Sequence, residues 1–101
     1  MSVIARRVLA SALGEMTVTL DAPVADGLDW RCGFRIEGPR LNAQAHAMGV
    51  DGFQALDLAM RRIGATLRSS EEFRAGPICW LDRDEPGFPL PQGCEELGWR
   101  R

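Results

Sequence analysis

The chain has 101 residues, enough for one domain with a single modest core, and its 46% apolar and 26% charged residues exclude wholesale disorder. A formal charge of −2 leaves no basic footprint for a sequence-independent grip on nucleic acid. All 12 basic residues are arginine and tyrosine is absent, which excludes lysine nucleophiles, Schiff bases and tyrosine general acids. Together with abundant Ala and Gly, this composition points to a GC-rich bacterial genome.

Val3 to Ala12 reads as a first strand with imperfect alternation. Ile4 and Val8 share one face with Arg6, Val3 and Leu9 share the other with Arg7, and an amphipathic N-terminal helix competes with this reading. Gly14 turns the chain into its cleanest strand, Glu15 to Ala22. There Met16, Val18, Leu20 and Ala22 alternate with polar residues, so one face is buried and one wet. The short connection predicts an antiparallel hairpin. Pro23 to Leu28 reads as a loop. Asp29 to Glu37 is a third strand, with Trp30, Cys32, Phe34 and Ile36 inward and Arg31 and Arg35 outward. Asn42 to Met48 is a fourth; its Ala43, Ala45 and Ala47 form a face of small side chains suited to the close approach of a helix.

That helix is Val50 to Ser70. Asp51 is placed as N-cap with Gln54 completing a capping box. Phe53, Leu56, Met60, Ile63 and Leu67 recur at spacings of three and four, which predicts the buried stripe, extended by Ala59. Gln54, Asp57, Arg61 and Arg68 fall on the other side, with Asp57 and Arg61 spaced for an ion pair. Ser69 to Gly76 reads as a loop and Ile78 to Leu81 as a fifth strand. Residues 82–101, with Pro86, Pro89 and Pro91, form an extended tail whose Phe88, Leu90, Leu97 and Trp99 pack back on the domain. The expected architecture is one α+β domain over residues 1–101: an antiparallel meander of four to five strands with one long helix on one face.

Chemical motifs are sparse. Cys32, Cys79 and Cys94 form no close pair, so a disulfide framework or zinc knuckle is not expected and reduced cytosolic thiols are. Cys32 and Cys79 are placed in buried strands and Cys94 in the exposed tail. The N-terminus lacks the apolar run of a signal peptide, and no stretch is long enough to span a membrane. The expectation is a cytoplasmic protein with no membrane or nucleic-acid partner. Asp82, Asp84 and Glu85 lack the rhythm of a calcium loop, and Gly49 and Gly52 do not make a phosphate cradle. No metal or cofactor is implied.

Two surfaces remain. Leu58 points away from the apolar stripe, beside Arg62, and with Arg31 and Arg35 on the outer sheet face supplies the candidate partner-binding residues. These favour a non-catalytic protein-binding or regulatory domain, in one version an immunity-type protein that neutralises a partner, with a homodimer through Leu58 or an edge strand as a further form. The alternative is a small ligand-binding or enzymatic domain using His46, the only histidine, together with Arg31 and Arg35.

MTVTL, the strand DWRCGFRIEG, the helix GVDGFQALDLAMRRIGATL and the later ICWL with GFPLP together resemble a family of small bacterial proteins of unknown function. The resemblance runs from Arg6 to Pro91, with the elements in the same order. It implies one complete bacterial domain and carries over no catalytic residue.

Overall fold

Five strands form one antiparallel sheet in the computed structural model, which describes residues 2–90. Strand β1 (Val3–Ser11) and strand β2 (Gly14–Asp21) make the expected hairpin, paired from Ser11↔Gly14 to Val3↔Asp21 with one irregularity between Val3 and Ala5. The N-terminal segment is thus a strand and not a helix. Met16, Val18 and Leu20 enter the core, as the period of two requires.

Strand β3 (Val24–Asp26) lies where the sequence suggests only a loop. Gly27, at φ 66°, takes the first central position of a two-residue turn, so the chain reverses at once and Val24–Asp26 pair with Asp29–Arg31. Strand β4 (Asp29–Glu37) carries β3 and β2 end to end along one edge, with Pro23, which has no N–H, at the break. Strand β5 (Asn42–Gly49) lines the other edge of β4 in unbroken register from Trp30↔Gly49 to Glu37↔Asn42.

Helix α1 (Gly52–Arg68) covers the inner face. The Asp51 carboxylate accepts from the Gln54 amide at 2.8 Å, and Gln54 Oε1 accepts from the Val50 amide at 2.7 Å. The Asp57–Arg61 ion pair forms at 3.0 Å. The buried stripe differs from the expected one: Ala55, Ala59, Ile63, Gly64, Leu67 and Arg68 are buried, whereas Phe53 is 86% exposed. Small residues decide the rotation. Ala55 and Ala59 let the helix settle onto the row Ala43, Ala45 and Ala47, as the alanine face anticipated, and this turns Phe53 off the sheet. Trp30 stays against Pro23 and Gly52 at the start of the helix, 37% exposed instead of central to the core.

After α1 the chain departs further from expectation. Ser70 caps a short helix, α2 (Glu71–Ala75), where a loop is expected, its side chain accepting from the Phe73 amide. The segment expected as a fifth strand does not join the sheet as one: only Cys79 exchanges backbone hydrogen bonds with Ala10 of β1, at 3.0 and 2.7 Å, before Trp80 turns back onto Arg83. Strand β3 is the fifth strand instead. Ile78, Pro86 and Leu90 are buried, so residues 78–90 form a strap across the inner face beside α1. Gly64 makes this possible, since a Cβ there would collide with the carbonyl oxygen of Pro89. Arg61 secures the crossing by donating to the Leu90 carbonyl at 2.6 Å. Cys94, Leu97 and Trp99 lie outside the described residues.

Candidate functional site

With α1, α2 and the strap on one side, no described element covers the other face of the sheet, and its side chains form rows across the strands. Arg35 pairs with both Thr19 and Gln44, and Thr19 pairs with Arg6. One row along, Gly33 pairs with His46, and Asp21 continues the β2–β4 register one residue past Leu20↔Phe34. The next row holds Val24, Arg31 and Met48.

Gly33 therefore leaves a gap in the middle of this face. A glycine inside a strand commonly marks a bulge or a close approach. The register of β4 with β5 is unbroken, so the second applies. The Asp21 carboxylate leans into the gap, its Oδ2 lying 2.8 Å from where a Cβ of residue 33 would stand. Around the gap lies a depression of about 300 Å³ lined by Asp21, Arg31, Gly33, Gln44 and His46 over the backbone of Phe34 and Ala45. Arg31 reaches Asp26 at 3.5 Å, a long ion pair between two partly exposed side chains. Arg35 donates to Gln44 Oε1 at 3.3 Å and stands one row beyond the depression.

The structure thus brings His46 and Arg31 into one depression and leaves Arg35 at its border. Leu58 and Arg62 lie elsewhere, on the flank of α1 above β5. Leu58 is 39% exposed, and Arg62 donates to the His46 carbonyl at 2.7 Å. Asp21, Gly33 and Gln44 are the members the sequence reading leaves out. The signal for Gly33 was present, a lone glycine centred in an otherwise alternating strand.

Beneath the depression Cys32 is buried, and its thiol donates to the Asp21 carbonyl at 3.3 Å. Burial, and secondarily the Asp21 charge, push this thiol above its usual range, so it stays protonated and poorly nucleophilic. Cys79 is half-buried at the edge of β1, more open than its apolar neighbours suggest. Among the described residues no three His, Cys, Asp or Glu side chains converge as metal ligands. No described helix is long and apolar enough to cross a membrane.

Residues 5–90 match a domain of unknown function, DUF6968, over most of the chain. The chain belongs to the DUF6968 family. That match spans the sheet from the third residue of β1, both helices and the strap, so the Gly33 depression lies wholly inside the DUF6968 domain. No curated protein and no solved structure matches the chain.

Proposed function

We propose that this DUF6968 domain is a non-catalytic binding module whose outer sheet face takes a small polar acid. The observation that carries the reading is the bare floor at Gly33, walled by a guanidinium, an imidazole, an amide and a carboxylate on four separate positions. Arg31 suits a carboxylate or phosphate group through its fork of donors, and its weak hold on Asp26 leaves those donors available. Asp21 suits an N–H or O–H donor on the same ligand. The preferred ligand carries an acidic group and a donor a few ångströms apart. No hydrogen bond fixes the His46 ring among the described residues, which favours recognition over general-base chemistry, where an oriented tautomer is wanted.

The test is a titration of isotope-labelled protein with citrate, glutamate and inorganic phosphate, followed by amide chemical shifts. The reading expects saturable shifts centred on Gly33, Ala45 and His46, stronger for citrate and glutamate, which carry a carboxylate and a separate donor, than for phosphate, and reduced at least severalfold in affinity by Arg31→Ala. Shifts absent for all three probes, or unaltered by Arg31→Ala, contradict it.

A protein-binding reading, regulatory or immunity-type, draws instead on the flank of α1. What favours it is a half-exposed leucine, Leu58, above β5, whose outer edge no described strand pairs.

A further inference from the structure

The outer edge of β5 is built unlike an edge that avoids pairing. Edge strands are ordinarily blunted by charged side chains, proline or bulges. Asn42–Gly49 has none of these: its sequence NAQAHAMG is uncharged, and its register with β4 is unbroken. The opposite edge, β1, carries Arg6 and Arg7, has an irregular register, and is capped at Ala10 by Cys79.

Which backbone groups of β5 face away from β4 follows from one hydrogen bond. Gly38 N–H donates to the Leu41 carbonyl at 2.8 Å, so positions 38 and 41 form a hydrogen-bonded pair. Antiparallel pairs alternate, so Glu37↔Asn42, Arg35↔Gln44, Gly33↔His46 and Arg31↔Met48 are the non-bonded pairs. The N–H and C=O groups of Asn42, Gln44, His46 and Met48 therefore point away from β4. Two contacts agree: the outward Val50 amide is taken by Gln54 and the outward His46 carbonyl by Arg62.

We propose that this edge is a reversible homodimer interface in which β5 pairs antiparallel with β5 of a second copy about a twofold axis at Ala45. That register places Gln44 opposite His46 of the second copy and Asn42 opposite its Met48, so all four outward positions on each strand find partners and no like charges face each other in the sheet. The helices fit as well. Helix α1 rests on both β4 and β5, so two copies of it would lie two strand spacings, about 10 Å, apart, within the distance at which helices pack. The faces that meet carry Leu58, Arg62, Thr66 and Ser69, one large apolar group and one cation with two small hydroxyl side chains. Arg62 must release the His46 carbonyl to admit the second strand, and the two Arg62 side chains then repel each other near the axis. Arg62 is the gate.

Sedimentation of the full chain at rising concentration, with amide hydrogen exchange on the same samples, tests this. The inference expects a concentration-dependent dimer in which the Gln44 and His46 amides gain protection while Ala45 and Ala47 are protected throughout. Arg62→Ala tightens the dimer a few-fold, and added salt does the same for the wild type by screening the two arginines. Gln44→Pro abolishes the dimer without unfolding the monomer, since the Gln44 N–H does not bond β4; Leu58→Glu is the second variant should the proline disturb the strand. A monomer at every concentration in both wild type and Arg62→Ala, or a dimer that leaves the Gln44 and His46 amides exchanging freely, overturns it.

Discussion

Arg7 lies flat against Trp80, its guanidinium carbon 3.8 Å from the ring centroid. The Phe88 ring also lies against the guanidinium at 4.7 Å, and Nη1 donates to the carbonyls of Pro86 and Gly87 at 3.3 and 3.0 Å. One β1 side chain thereby fastens both arms of the strap. Arg7→Ala should lower stability by about 1–2 kcal/mol in urea unfolding, from lost stacking and two lost donors. It should also speed tryptic cleavage after Arg83. Arg7→Lys should recover only part of the loss, because an ammonium cannot stack and reach both carbonyls as a planar fork does.

Glu72 is buried, and its Oε2 accepts from the amides of Arg40 and Leu41 at 2.9 and 2.8 Å. Burial alone would raise this carboxyl, but the amide donors of Leu41 and Arg40, with the Arg40 charge, outweigh it and hold the carboxyl below the ordinary range. A depressed folded pKa means that the contribution is full above the unfolded value and fades as pH falls toward the folded one. Glu72→Gln should therefore cost about 1–2 kcal/mol near neutrality, with the gap to wild type closing below about pH 4. Urea midpoints measured across that range check the sign.

Leu81 has φ 57° and is 79% exposed at the turn between Trp80 and Arg83. A left-handed backbone strains any residue with a Cβ, and so exposed a side chain has little packing to lose. Leu81→Gly should be neutral or stabilise by up to about 1 kcal/mol, seen as an unchanged or raised melting temperature. A clear loss of stability would mean that Leu81 packs against something in solution.

The parts of the fold that follow from local rules could be read from the residues in order. Met16, Val18 and Leu20 alternate, and Asp51 and Gln54 cap, because period and capping are set within a few neighbours. What escaped depended on distant partners. Val24–Asp26 becomes a strand only because β4 offers an unpaired edge beyond the end of β2. Glu72 is buried in a segment that reads as polar loop because the Arg40 and Leu41 amides need an acceptor. Phe53 was counted by its hydrophobicity, whereas the rotation of α1 follows the small side chains facing Ala43, Ala45 and Ala47. The candidate site was half legible in the same sense. His46, Arg31 and Arg35 announce themselves as polar residues on a wet face, but the depression exists through Gly33, whose contribution is a missing side chain.

Gly33→Val is the most direct test of the binding account. Its backbone is ordinary extended strand, a β-branched residue suits that position, and the only close neighbour is the movable end of Asp21. The variant should keep its stability within about 1 kcal/mol of wild type, since glycine itself weakens a strand by a similar amount. Binding of the carboxylate probe, measured by calorimetry on both proteins, should be lost as the valine fills the floor, with Gly33→Ala intermediate. A folded Gly33→Val protein that binds the probe as tightly as wild type would contradict the account.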